Sequence, residues 1–321
     1  MILNILLVIV GIALVLVGAD KMTDGAVAIA NKMKIPELII GLTIVAMGTS
    51  APELVVSLMS AIKGTPDLAV GNVLGSNIFN ALLIVGVTAM VCPMIISKST
   101  VKKDIPFAVG GSILLFAFAF DKNIERWESA ILFVCLIIFM MYTIRSAKAS
   151  KAAGEIEPAS DDSGEGKKEI KTWLACVYVV LGISALIYGS DLFVDNASAI
   201  AESLGVSKAV IGLTIVAGGT SLPELATSVV AARKGQSALA IGNVIGSNVF
   251  NIFMIVGITG LVCPMRPNDI TILDLSVMLG SVVLLWFFTY TKYKVERWEG
   301  AVLTTLLCSY MGWLIYNAVA A

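Results

Sequence analysis

The sequence predicts an all-α membrane protein of ten transmembrane helices, arranged as two inverted-topology repeats of five. Three observations carry this reading. Hydrophobic residues make up 58% of the 321 positions and charged residues only 14%, with a mean hydropathy of +0.92; soluble domains carry about a quarter charged residues. Apolar runs near the ~20 residues that cross a bilayer recur along the chain, without the period-two alternation of barrel strands. Finally, the chain repeats itself. Glu224 follows Glu53 by 171 positions, and the same offset links Asn80 to Asn251, Arg126 to Arg297, Asp20 to Asp191 and "CPM" at Cys92 to "CPM" at Cys263. About two-thirds of positions over 41–80 are identical to their partners over 212–251.

The elements follow in order. Residues 1–146 form the first repeat, with spans expected over 2–19, 37–62, 68–92, 105–121 and 127–146. The run at 2–19 lacks a basic n-region and a small-residue cleavage site, and it has an internal counterpart, so a span is expected rather than a signal peptide. The 37–62 span is interrupted at Pro52; the 68–92 span carries "GNVLGSNIFN"; the last follows "ERWE" at Glu125–Glu128. Residues 147–171 are polar and rich in Gly, Ser and charge, as expected of a tether. Their "DDSGE" lacks the ligand spacing of an EF-hand loop. Residues 172–321 form the second repeat, with spans expected over 172–190, 208–233, 239–263, 272–291 and 298–318.

Five is odd, so the second repeat enters the membrane from the opposite face, as inverted repeats do. Placing the basic residues on this layout puts 17 of the 22 on the face opposite the N-terminus. The excess of cationic side chains in cytoplasmic loops then orients the chain in a cell membrane with both termini outside and the 147–171 linker cytoplasmic.

Composition also narrows the chemistry. There is no histidine, which removes His-based triads and His-metal sites. The five cysteines have no metal-ligand spacing and read as small hydrophobes. A net charge of −1 gives no sign of nucleic acid. No nucleotide loop or nucleophile–base pair points to an enzyme, no protein partner is indicated, and a monomer in the lipid bilayer is expected.

The polar content of the spans is concentrated. "GTSAPE" at Gly48–Glu53 and "GTSLPE" at Gly219–Glu224 place a helix-breaking proline beside a carboxylate within apolar sequence. Pro52 and Pro223 each remove a backbone donor and crowd the carbonyl four residues back, while Gly48 and Gly219 add backbone freedom. In lipid, carbonyls freed this way need other partners or line a cavity. Thr49, Ser50, Thr220 and Ser221 add hydroxyls. Glu53 and Glu224 are the acidic residues deep within spans, where a charge costs at least about 2.5–3.5 kcal/mol. No Lys or Arg lies deep in any span, so a proton or a metal ion is the expected partner.

In the following spans Asn72, Ser76 and Asn80, and likewise Asn243, Ser247 and Asn251, fall at i, i+4, i+8 on one helix face. Gly71 with Gly75, and Gly242 with Gly246, form G-x-x-x-G pairs suited to close helix approach. Asn72 and Asn243 are expected to be structural near the site, as are Asn77 and Asn248, which point elsewhere and are expected to bond the broken backbone of the neighbouring span. A kinked span or a G-x-x-x-G pair alone is commonly only packing. The convergence of carboxylates, hydroxyls and amides at repeat-related places suits a hard cation, which takes 6–8 oxygen ligands.

"GTSAPE…GNVLGSNIFN" and "GTSLPE…GNVIGSNVFN" resemble the paired motifs of the cation/calcium exchanger superfamily, and in detail its prokaryotic sodium/calcium exchanger branch, over nearly the whole chain. The resemblance implies a mid-membrane ion site between helices 2, 3, 7 and 8. Carried over by motif, its ligands are Ala46 (carbonyl), Thr49, Ser50, Glu53, Ser76 and Asn80, with Ala217 (carbonyl), Thr220, Ser221, Glu224, Ser247 and Asn251. Helices 1 and 6 are implied to slide. Where Asn251 stands, potassium-dependent relatives carry Asp, so potassium co-transport is not expected. The short linker argues against the regulatory insertion of animal exchangers.

The expected function is antiport of Na⁺ against Ca²⁺ by alternating access, with these ions as cargo and no cofactor. Proton/cation antiport on the same glutamates is the alternative, and a channel is a more remote one.

Overall fold

The computed structural model describes residues 1–153, 170–205, 215 and 217–320. Most of the 147–171 linker, the start of the span expected at 208–233 and the start of the 212–251 motif lie outside the described residues.

The first half holds α1 (Ile2–Met33), α2 (Glu37–Thr49), α3 (Ala51–Ile62), α4 (Pro66–Val91), α5 (Ile105–Ala119) and α6 (Arg126–Ala153). The second holds α7 (Thr172–Ser203), α8 (Ala217–Thr220), α9 (Leu222–Arg233), α10 (Ser237–Val262), α11 (Ile272–Lys292) and α12 (Arg297–Ala320). Among the described residues six helices are long and apolar enough to cross a membrane. The pair α2 and α3, bent by 44°, is a seventh by length and composition.

Three helices run well past their expected bounds: α6 continues to Ala153, into the expected linker, and two others extend much further. The runs at 2–19 and 172–190 continue as helices of 32 residues each, about 48 Å at 1.5 Å per residue, against a hydrocarbon core of about 30 Å. No proline or stop signal follows residue 19; α1 ends only where Lys34 takes a left-handed conformation (φ 52°, ψ 55°) before Ile35 and Pro36. The polar extension is held by Lys234, whose Nζ lies 2.7 Å from a carboxylate oxygen of both Asp20 and Asp24. Helices α1 and α7 run antiparallel with their backbones touching: a Cβ on Gly18 would sit 2.8 Å from the Gly182 carbonyl, and one on Gly182 equally close to that of Gly18.

Helices α2 and α10 approach almost as closely. A Cβ on Gly242 would meet the Leu38 carbonyl at 2.7 Å, and one on Gly246 would meet Ala46 Cβ at 2.6 Å. The expectation for the G-x-x-x-G pairs thus holds in the second half. In the first half Gly71 and Gly75 instead line a cavity of about 220 Å³ with Asp274 and Tyr310.

The loops add an antiparallel pairing that an all-α reading does not contain. Strand β1 (Met94–Ile95) pairs with β2 (Lys294–Val295), setting Met94 opposite Val295. A bridge sets Ile124 opposite Met265. These are one arrangement made twice, 171 positions apart: each "CPM" turn grips the segment before "ERWE" of the other half. In each "ERWE" the second glutamate accepts from the backbone N–H of the first, at 2.8 Å for Glu128 and 2.7 Å for Glu299. Trp127 and Trp298 donate to Glu125 and Glu296 while half their surface stays exposed, as interfacial anchors do. Donation from Trp298, then from Lys292, holds the Glu296 carboxyl below its ordinary range.

Candidate ion-binding site

Four helical segments build the site. Helix α2 ends at Thr49, Ser50 breaks the chain direction (φ −84°, ψ 5°), and α3 restarts with Pro52 in its first turn, where a missing N–H costs nothing. Ser221, Leu222 and Pro223 repeat this break between α8 and α9. Glu53 and Glu224 therefore stand in the first turn of a half-helix, where the aligned peptide dipoles favour negative charge by about 0.3–1 kcal/mol. Gly48 keeps helical geometry; it is needed for space, because α7 presses Ile183 against it, as Val194 presses against Gly219.

Helices α4 and α10 each relax from α to π geometry, over Phe79–Ile84 and Phe250–Val256. Asn80 and Asn251 are the second residues of these wider turns, a device frequent at functional sites. Sequence patterning misses them, because an i, i+4 reading assumes unbroken α geometry.

Glu53 and Glu224 are 1% and 2% exposed, and Thr49, Ser50, Ser76, Asn80, Ser221, Ser247 and Asn251 are buried with them. Hydrogen bonds draw the halves into one cluster. Ser50 donates to Glu224 Oε1 at 3.3 Å, Thr49 to Asn243 Oδ1 at 3.2 Å, and Asn80 Nδ2 to Asn248 Oδ1 at 3.0 Å. The Ala46 carbonyl accepts from Ser50 N at 3.0 Å and from Thr49 Oγ1 at 3.3 Å. Ala217 opens α8, and Thr220 closes it beside the break.

The brace expected of Asn77 and Asn248 is made by Asn72 and Asn243 instead. Asn72, not Asn77, braces the broken span, donating to the Glu53 carbonyl at 3.2 Å and to Ser57 Oγ at 3.0 Å. Asn243 does the same to the Glu224 carbonyl at 3.3 Å and to Ser228 Oγ at 3.0 Å. Asn77 donates within its own helix, to the Val73 carbonyl, and Asn248 faces Asn80. Ser57 and Ser228 are the brace residues that the motif reading overlooks; their signal is a serine four places after each glutamate.

Six buried oxygens among the candidates have no partner: Glu53 Oε2, Glu224 Oε2, Asn80 Oδ1, Asn251 Oδ1, Ser221 Oγ and Ser247 Oγ. Leaving one such group unpaired costs about 1–3 kcal/mol, more when it is charged. The six come from both halves and make a set of oxygen donors fit for a cation. Hard oxygen atoms, two of them from carboxyl groups, suit a cation such as Ca²⁺ or Na⁺. Among the described residues no group of three or more His, Cys, Asp or Glu forms an alternative metal centre.

Comparison with known proteins gives a consistent picture. Residues 3–145 and 174–316 each match the sodium/calcium exchanger protein family. A putative antiporter, CaxA, of Alkalimonas amylolytica is 38% identical over 97% of this chain and 98% of its own. The sodium/calcium exchanger MaX1 of Methanosarcina acetivorans is 34% identical over 98% and 99%. Among solved structures, the sodium-calcium exchanger NCX_Mj superposes with a TM-score of 0.83 at 28% identity, covering 98% of this chain and 99% of that one.

Proposed function

The chain belongs to the sodium/calcium exchanger protein family and is a multi-pass membrane protein, and from that premise we propose that it exchanges Na⁺ for Ca²⁺ across a cell membrane by alternating access. The observation that carries the proposal is the cluster of six unpartnered buried oxygens shared between the halves. In this reading Glu53 and Glu224 bridge the cargo. The hydroxyls of Thr49, Ser50, Ser76, Thr220, Ser221 and Ser247, the amides of Asn80 and Asn251, and the carbonyls of Ala46 and Ala217 complete the shell.

The electrostatics supply the coupling. Empty, the site holds two negative charges at the centre of the bilayer, each costing several kcal/mol to bury unpaired. One Ca²⁺ or two Na⁺ neutralise it. The loaded site can pass from one face to the other and the empty site cannot, which makes exchange obligatory. Residues 1–146 and 172–321 act as inverted repeats with both termini outside and the 147–171 linker cytoplasmic. The antiparallel pair α1 and α7 slides against the other helices of the two repeats, and the protein works as a monomer.

The test is flux. Purified protein in Na⁺-loaded proteoliposomes, at fixed pH with a protonophore, takes up ⁴⁵Ca²⁺ when external Na⁺ is low. Uptake driven by a pH gradient and indifferent to Na⁺ would put protons in the place of sodium.

A further inference from the structure

A neutral oxygen binds a cation through its lone pairs, so protons on the same group have to be directed elsewhere. A site built largely of hydroxyls and amides therefore needs acceptors that take those protons away from the ion. Among the described residues, Asn243 and Asn248, both on α10 and outside the proposed ligand set, act as such acceptors. Thr49 Oγ1 lies 3.2 Å from Asn243 Oδ1. Asn243 is fully buried and cannot turn: its Nδ2 donates to the Glu224 carbonyl and to Ser228 Oγ. Reversing the amide would set its oxygen against that carbonyl. One helical turn further on, Asn248 Oδ1 accepts from Asn80 Nδ2 at 3.0 Å, and Asn80 Oδ1 is left without a partner.

We propose that Asn243 and Asn248 are positioning residues: from the second half they accept the protons of Thr49 and Asn80 in the first, so that these two side chains turn their lone pairs toward the transported cation. The inference rests on the ion-site reading above and adds to it a division of labour between ligands and the groups that orient them. It also couples the halves, because a first-half ligand is held in its binding orientation by the second half. Without Asn243 the acceptors left within reach of Thr49 are the Ala46 carbonyl, at 3.3 Å, and the Glu224 carboxylate, both proposed ligands. That carbonyl already accepts from Ser50 N. Loss of Asn243 thus misdirects the Thr49 proton onto a second proposed ligand.

The test is a double-mutant cycle on ⁴⁵Ca²⁺ binding by the full-length purified protein, with Thr49→Val, Asn243→Leu and the two together. Leu keeps the size of the amide and removes its donors and acceptor. Each single variant is expected to weaken apparent Ca²⁺ affinity by about tenfold, and the double variant by no more than the weaker-binding single, because the contribution of Thr49 depends on Asn243. A purely structural amide would give independent losses that multiply to about a hundredfold, and that result overturns the proposal. If Asn243→Leu does not fold, the cycle of Asn80→Ala with Asn248→Leu reads the same dependence at the second acceptor, with the same two outcomes. Glu224→Gln separates the levels of failure. Binding that survives Glu224→Gln removes the ion site itself and this inference with it. Binding lost in Glu224→Gln, together with multiplying losses in the cycle, removes only the inference.

Discussion

Glu53 and Glu224 are the carboxyl groups of the cluster, and each keeps one buried oxygen without a partner. Replacing either by Gln keeps shape and removes the charge that the cargo compensates. Glu53→Gln and Glu224→Gln are therefore expected to abolish Na⁺-dependent ⁴⁵Ca²⁺ uptake. Monodispersity and melting temperature should stay at or above wild type, since an unpaired buried charge has been removed. Asn251 offers the converse test. Asn251→Asp adds a third carboxylate, which tightens Ca²⁺ binding but leaves one negative charge uncompensated in the Ca²⁺-loaded site. Affinity should rise and turnover fall; a rise in both would show that net charge does not govern crossing. The glutamates, serines and threonines of the candidate site stand out in the sequence because their types and spacing are local. The roles of the asparagines do not. Asn72 and Asn77 sit in the same motif, and which of them meets α3 depends on how α4 is rotated against it.

Elements add what single positions cannot. The close contact of α1 with α7 depends on Gly18 and Gly182, so Gly18→Val forces its Cβ against the Gly182 carbonyl. A loss of about 1–3 kcal/mol is expected for such overpacking, read as a lower melting temperature in detergent. Lys234 ties the polar end of α1 to the end of α9 through Asp20 and Asp24. Its repeat counterpart Lys63 makes no ion pair with Asp191 or Asp195 among the described residues, and α7 does not pack along α3 as α1 packs along α9. Lys234→Ala should cost up to about 1 kcal/mol for each partly exposed pair it loses, whereas Lys63→Ala should leave stability in this conformation unchanged. Equal thermal shifts for the two would contradict the asymmetry. Helix existence was readable from hydropathy. Helix length was not, because Asp20 and Asp24 are ordinary end-of-span signals until the distant Lys234 pairs with them. The π turns at Asn80 and Asn251 were equally hidden, since they change backbone geometry without changing the residue pattern.

At the scale of the whole molecule, the two halves are interlocked. Each lends the other a β-pairing at one end, and the site between them is closed by hydrogen bonds that cross from half to half. The constant offset of 171 positions made the duplication plain from the sequence. The crossed pairings of "CPM" with the segment before "ERWE" emerge only when the halves are set antiparallel. In the proposed exchange, the charged site crosses the membrane only when occupied. The most direct measurement is ⁴⁵Ca²⁺ efflux from loaded proteoliposomes, at clamped voltage and pH, into three media containing Na⁺, unlabelled Ca²⁺, or choline alone. Rapid efflux into Na⁺ and into Ca²⁺, with only background loss into choline, is the predicted result. Efflux into choline as fast as into Na⁺ would mean that the empty site returns freely, and would contradict the claim.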